Sequence, residues 1–258
     1  MKLAQQPGRL FLWRGSALVI SPGIDSSLHT HFALQLTYGL QRPFRVRLQT
    51  DQPWEVTRSA CFAPHQAHQI DSDGGLLAHL FVEMPEMLNA DCTAVPAAFA
   101  GVPAFQRMAD SLQDGRHQML DMAVATQLRH TWLSCALPES QLKPALDGRI
   151  TTVLEQIAAS RGLDCNGENL ARLVHLSESR FTHLFRQQTG MSLSRYLLWS
   201  RMVDAVASVA AGNNMTAAAH ASGFADLAHM SRTFRNMMGV PPSELQRMAI
   251  AFKQDQSA

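Results

Sequence analysis

Asn169–Gly190, NLARLVHLSESRFTHLFRQQTG, decides how this chain is read. A short helix carrying Leu170, Ala171 and Val174 leads to Leu176. Ser177 then stands where a helix needs an N-cap, and Glu178 sits in the first turn, where the dipole favours an anion. The helix that follows has Phe181, Leu184 and Phe185 at i, i+3, i+4 as its buried stripe, and Thr189-Gly190 closes it. Its outward positions are Ser179, Arg180, Thr182, His183 and Arg186, all small, polar or basic. An apolar back with a hydrogen-bonding front suits a helix that enters a major groove.

The pattern recurs downstream. Met215–Ala221 reads as a short helix, Ser222-Gly223-Phe224 as a turn, and Asp226 as the N-cap of a helix reaching about Met238. Met230 and Phe234 face inward, which leaves Leu227, Ala228, His229, Arg232 and Arg235 nearer the surface. Gly239 ends the helix, and Val240-Pro241-Pro242-Ser243 opens a final short one. Between the units, residues 193–211 form one helix with Tyr196, Trp199, Met202, Val203, Val206 and Val209 apolar. At ~1.5 Å per residue it is roughly 28 Å long, against about 34 Å for one turn of B-DNA. A rigid spacer of that size suits two recognition helices set in successive grooves.

This arrangement resembles the DNA-binding domain of AraC/XylS-type transcriptional regulators. The residues that carry the resemblance are Leu170-Ala171, Ser177, Phe181, Phe185-Arg186, Gly190, Ser192, Tyr196, Arg201-Met202, Ala205, Ala219, Gly223-Phe224, Met230-Ser231-Arg232, Phe234-Arg235, Gly239 and Pro241-Pro242-Ser243. His183 stands where the family commonly has arginine, and Leu227 and Ala228 where polar residues are common. Because Leu227 and Ala228 offer no side-chain hydrogen bond, the first recognition helix is expected to carry more of the sequence preference.

Composition agrees with a folded protein and excludes disordered and fibrous classes: 46% of the 258 residues are hydrophobic and 17% charged. No stretch approaches the ~18 apolar residues of a membrane span, and the run Leu10–Trp13 is too short for a secretory signal, so a cytoplasmic location is expected. Cys61, Cys92, Cys135 and Cys165 form no CxxC pair, and buried thiols are expected of them. Residues 1–147 carry 11 basic and 13 acidic side chains, whereas 148–258 carry 11 and 8. The sign of that difference suits nucleic acid in the second half only.

Residues 1–98 read as short strands between turn signals such as Ser21-Pro22-Gly23, Asp51-Gln52-Pro53 and Asp73-Gly74-Gly75, which predicts a barrel or sandwich. The resemblance adds a cupin-like sensor barrel. Gly23 followed by His29-Thr30-His31, Gln35 and later Pro64–His68 is similar to the two cupin motifs, in which an HxH pair, a carboxylate and a later histidine hold a divalent metal. On a strand, His29, His31, Ala33 and Gln35 share one face, and Leu28, Phe32, Leu34, Leu36 and Tyr38 the other. Three readings of the polar face compete. His29, His31 and His68 hold a metal, although Gln35 replaces the anionic ligand. The face lines an effector pocket of His29, His31, Gln35, His68 and His79, with Trp13 and Phe81 as neighbours. Or the face is solvated and its back is core. The pocket is the preferred reading, with neither metal nor cofactor required.

The expected architecture is therefore α+β and multidomain: an N-terminal cupin-like β-barrel (1–98) with a helical extension (99–137), a linker (138–148), and a C-terminal all-α domain with two helix-turn-helix units (149–252). In the extension, Leu120, Val124, Leu128 and Trp132 make a stripe on a helix over 118–135. That stripe is either a homodimer seam or a cover for the barrel flank. The expected function is a sequence-specific DNA-binding transcription regulator, not an enzyme. Its expected partners are double-stranded DNA, a small-molecule effector, a second copy of the chain and RNA polymerase. A metal-dependent cupin enzyme with a helical scaffold, and an effector-independent regulator, are the alternatives.

Overall fold

Nine strands and eight α-helices follow one another in a computed structural model that describes residues 8–13, 16–22, 25–31, 33–82, 101–112, 119–136, 146–160, 162–163, 165–238 and 241–252. Residues 138–145 of the expected linker lie outside the described residues, as do Gly23, Phe32, Cys92 and Gly239. The described residues divide into two units, one holding those up to 136 together with 234–252, the other those from 146 to 233.

In the first unit, β1 (Gly8–Trp13), β2 (Ser16–Pro22), β3 (Leu34–Gly39), β6 (Ser59–Phe62), β8 (Leu76–Val82) and β9 (Met248–Phe252) join a six-stranded sheet ordered β6-β3-β8-β2-β1-β9. A second sheet has the order β5-β4-β7, built from β4 (Phe44–Arg47), β5 (Glu55–Thr57) and β7 (Gln69–Asp71). Phe62 and Leu77 of the large sheet pack with Phe44, Val46 and Ile70 of the small one, which closes one face of the large sheet over a core. The expected α+β class, with its sheet-built N-terminal region and helical C-terminal region, is what is observed.

The other face is covered by helices. α1 (Pro103–Asp110) and α2 (Met122–Ala136) pack together through Phe105 and Trp132, whose ring centroids lie 5.3 Å apart. Phe105 also meets Tyr38 of β3 edge-on at 4.9 Å. Trp13 Nε1 donates to Thr126 Oγ1 at 3.0 Å, and Arg129 Nε donates to Ser16 Oγ at 2.6 Å, so α2 is tied to β1 and to the start of β2. Leu120, Leu128 and Trp132 are buried in the lone chain, and of the stripe only Val124 is exposed. This corrects the seam reading: these apolar side chains cover the chain's own sheet. Trp13, expected beside the histidines, is engaged with Thr126 instead.

β9 (Met248–Phe252) is a second difference from expectation. The sequence reading puts 248–252 in the DNA-binding domain, but these residues pair in parallel with β1, Gly8 opposite Met248 through Leu12 opposite Phe252. MAIAF is five residues without a helical repeat, short enough to serve as an edge strand.

The second unit is helical: α3 (Gly148–Ala159), α4 (Gly167–Leu173), α5 (Glu178–Thr189), α6 (Leu193–Ala210) and α7 (Met215–Ala221), with α8 (Leu227–Met238) beginning in it. Ile150, Val153, Ile157, Leu170, Ala171, Phe181, Phe185 and Leu197 form its core. The two short helix pairs are built alike. Asn166 and Asn214 cap α4 and α7, and Ser177 and Asp226 cap α5 and α8 through bonds to Arg180 N and His229 N. Each turn ends on a bond back into the first helix, Leu176 N to Ala171 O and Phe224 N to Ala219 O. Each also needs one left-handed residue, His175 at φ 56° and Gly223 at φ 76°. Among the described residues no helix is long and apolar enough to cross a membrane.

The turns and the covered stripe give two expectations. A side chain in the left-handed region costs about 1–2 kcal/mol, and a Cβ on Gly223 would lie 3.1 Å from Leu163 Cδ2. Gly223→Ala should thus lower stability by about 1–2 kcal/mol, whereas His175→Gly should raise it by up to ~1 kcal/mol after the extra chain entropy of glycine is counted; urea midpoints followed by far-UV circular dichroism read both. Leu128→Glu should unfold the first unit, at a cost of roughly several kcal/mol for a desolvated carboxylate; size-exclusion chromatography showing a well-folded monomer split from a dimer would reverse the assignment of that helix face.

Candidate functional site

α5 presents Ser179, Arg180, Thr182, His183 and Arg186 to solvent, with Phe181 and Phe185 fully buried behind them. The sequence-predicted face is therefore the exposed face. A groove of about 680 Å³ runs beside it, lined by Ser179, Thr182, His183 and Arg186 and by Ser192 and Ser194 at the start of α6. On α8, Ala228, Arg232 and Arg235 are exposed and Leu227 and His229 are half-buried, His229 lying edge-on to Phe224 at 5.4 Å. Met230, Phe234 and Met237 form the buried side of α8. Among the described residues no carboxylate pairs with Arg180, Arg186, Arg232 or Arg235, so their guanidinium donors are available to phosphate or to base edges. α6 is 18 residues long, one fewer than expected.

The second constellation lies in the sheet unit. His29 and His68 face each other as an isolated antiparallel bridge, with N–H···O bonds of 3.1 Å in both directions. His31 precedes β3, Gln35 and Thr37 stand on it, and His79 opposite Thr37 stands on β8. The expected grouping of His29, His31, Gln35, His68 and His79 is what forms. All five are buried, with His68 at 0% and His31 at 1% exposure, so the solvated reading of this face is overturned. Alternation put these residues on one face but could not say that this face is the interior. Thr37 was missed, although its parity with Gln35 was a usable signal.

The hydrogen bonds are specific. Nδ1 of His29, His31 and His68 lies 2.9, 2.8 and 2.9 Å from the carbonyl oxygens of Ser27, Ala33 and Gln66. A carbonyl only accepts, so each Nδ1 carries the proton and each neutral ring keeps a bare Nε2. Gln35 Oε1 lies 2.6 Å from His31 Nε2 and 3.1 Å from His68 Nε2, while its Nε2 is 2.9 Å from Thr37 Oγ1 and 3.1 Å from His79 Nδ1. Phe62 stacks on His68 at 4.0 Å and Phe81 meets His31 at 5.5 Å, as expected of Phe81.

Comparison with known proteins places both constellations in a known architecture. Residues 170–248 match the family model of a helix-turn-helix domain. The chain carries a helix-turn-helix domain. An uncharacterized helix-turn-helix-type transcriptional regulator of Haemophilus influenzae is 26% identical over 175 residues, a match spanning 66% of this chain and 58% of the relative. ToxT from Vibrio cholerae shares the fold at a TM-score of 0.58 and 9% identity, over 90% of this chain and 97% of ToxT. A ToxT structure with an unsaturated fatty acid bound aligns at 0.54 and 10% identity, over 93% of this chain and 96% of ToxT. The matched domain thus contains both expected recognition helices, and the fold of the chain is similar to that of ToxT.

Upstream of the helix-turn-helix domain, burial governs the protonation of the cluster. Desolvation lowers the His29 imidazole below its usual value of 6.5 and pushes His31 down to about 4 and His79 down to about 3. Desolvation, then the neighbouring His31 and His29, bring His68 down to about 2. All four rings are neutral at pH 7. In the unfolded chain they take up protons near pH 6.5, whereas the folded chain does not until well below it. Their contribution to stability is therefore complete above pH 6.5 and declines as the pH falls from there toward 4, each ring costing up to about 1.4 kcal/mol per pH unit. The urea midpoint of the sheet unit should be lower at pH 5.0 than at pH 7.5; an equal or higher midpoint at pH 5.0 would show that the imidazoles are charged in the folded chain.

Proposed function

We propose that this chain is a transcription regulator that binds duplex DNA through α5 and α8 and takes a small-molecule effector in its N-terminal sheet unit. The observation that carries this is the exposed polar and basic face of α5, N-capped by Ser177 and backed by buried Phe181 and Phe185, inside a helix-turn-helix domain. Phosphates are gripped by Arg186 and Arg235, and base edges are read by Ser179, Arg180, Thr182 and His183 of the first unit and by Arg232 of the second. Leu227, Ala228 and His229 lie at the entering end of α8, where the first two supply apolar contact alone. The effector reading rests on the ToxT fold, which in the Vibrio protein has an unsaturated fatty acid bound, and on the buried polar group of His29, His31, Gln35, His68 and His79. An effector acts by binding the DNA-competent state more or less tightly than the other. The helix-turn-helix domain with its exposed basic helix face fits a regulator better than an enzyme. The regulator works in the cytoplasm, where its DNA is; a second copy of the chain raises the effective concentration at tandem sites, and RNA polymerase is the partner through which it acts.

The full chain should bind duplex carrying its own upstream region, with affinity falling steeply as salt rises because phosphate contacts displace counterions. The full chain is needed because residues 248–252 belong to the N-terminal sheet. Arg180→Ala should cost about 1–3 kcal/mol and relax preference at one base pair. Arg186→Ala should weaken all duplexes alike and flatten the salt slope by about one charge. Fluorescence anisotropy on a set of single-base variants separates the two patterns. Absence of duplex binding at low salt would remove the regulator reading.

A further inference from the structure

The last strand of the chain follows closely on its second recognition helix. α8 begins in the helical unit, and the residues from Phe234 onward belong with the sheet unit. Nine residues separate Met238, where α8 ends, from Met248, where β9 begins. Of these, Pro242–Arg247 are wound into a 3₁₀ helix whose Leu245 O accepts from Met248 N. At ~2.0 Å per wound residue and at most ~3.5 Å for each of the others, the end of α8 stays within roughly 23 Å of β9. While β9 is paired, the second recognition helix is therefore on a short lead.

The pairing is fitted but slight. Gly8 of β1 stands opposite Met248, and a Cβ on it would lie 3.0 Å from Met248 Cγ and 2.9 Å from Ser21 Oγ, so β9 seats against the residue that leaves room for it. β9 is only five residues long, two of them alanines, which have low strand propensity. Ala249 is exposed and Ile250 half-buried, whereas Leu10, Phe11 and Leu12 of β1 are buried. An edge strand so lightly covered opens at less cost than the strand it borders.

A row of register partners runs from the imidazole cluster to the middle of β9. Thr37 lies opposite His79, His79 opposite Val19, Val19 opposite Leu10, and Leu10 opposite Ile250. Directly opposed residues share one face of a sheet. A displacement of His79 thus has a contiguous route to Ile250, three strands away.

We propose that β9 is a releasable strap: paired with β1 it holds α8 back from its placement on DNA, and its release frees α8 to enter the groove. The strap rests on the regulator reading. Two recognition helices must reach successive grooves together, at a spacing that DNA sets. Pairing with β1 fixes the far end of α8 through contacts in which DNA has no part, so it lowers the fraction of chains competent to bind. The coupling is reciprocal: duplex binding loosens β9 by the same factor as loosening β9 favours duplex.

The test is duplex binding by the full chain, read by fluorescence anisotropy on DNA carrying its own upstream region. Ala249→Pro/Ile250→Pro removes the N–H groups of two adjacent residues, one of which faces β1. This variant should bind at least ~5-fold more tightly than the natural chain, the lower end of ordinary coupling between sites. In the opposite direction, Arg9→Cys/Ala249→Cys places thiols on register partners of neighbouring strands ~4.8 Å apart, within reach of a disulfide. Its oxidised form should bind at least ~5-fold more weakly than the same chain reduced. A folded proline variant that binds no more tightly than the natural chain overturns the strap and leaves the regulator reading standing. So does an oxidised chain that binds no more weakly, or a thiol pair that fails to cross-link. Absence of duplex binding by every form removes the regulator reading and the strap with it. If either variant does not fold, the other decides alone.

Discussion

Strand β3 is buried on both faces, and much of the N-terminal unit depends on that. Leu34, Leu36 and Tyr38 point toward the side on which Phe105 meets Tyr38, and Gln35 and Thr37 point toward the space closed by the small sheet. In a half-exposed antiparallel strand the polar face would meet water. Here water is excluded, so every polar atom on that face needs an internal partner or pays a desolvation cost. The backbone carbonyls of Ser27, Ala33 and Gln66 meet part of that need by accepting from three imidazoles. The same burial keeps the rings neutral and their tautomers fixed. Local hydrogen bonding, protonation and the geometry of the cluster are thus consequences of one packing arrangement.

The helical half obeys a different constraint. Its helix pairs need no buried polar network, only a capped start, an apolar back and an exposed polar front. α5 meets all three through Ser177, through Phe181 and Phe185, and through the outward run from Ser179 to Arg186. The turns that set α4 against α5 and α7 against α8 each rely on one residue in the left-handed region. That a histidine occupies the first such place and a glycine the second shows that the turn tolerates strain when the bond behind it, Leu176 N to Ala171 O, is kept.

Much of this second half was legible in the sequence because its signals are local. Caps, i and i+4 stripes and the Gly223-Phe224 turn are all decided within a few residues of themselves, and the observed helices follow them. The grouping of His29, His31, Gln35, His68 and His79 was legible too, since strand alternation and motif spacing bring the right residue types to one face.

What the sequence could not decide was which side of each amphipathic face is occupied, and by what. The stripe of Leu120, Leu128 and Trp132 has the same period whether it meets a second chain or its own sheet; only the chain's return past Phe105 and Trp13 decides in favour of the sheet. MAIAF at the end of the chain carries no mark of its partner, because parallel pairing with β1 joins residues some 240 positions apart and no local propensity encodes such a contact. The sequence by itself determined the helix-turn-helix units, their caps and the residue types of the imidazole cluster, since those follow from short-range periodicity and hydrogen bonding. Only the tertiary structure decided that the cluster is dry, which nitrogens are bare and where the last strand goes, since burial is a property of what packs on a face and not of the face itself.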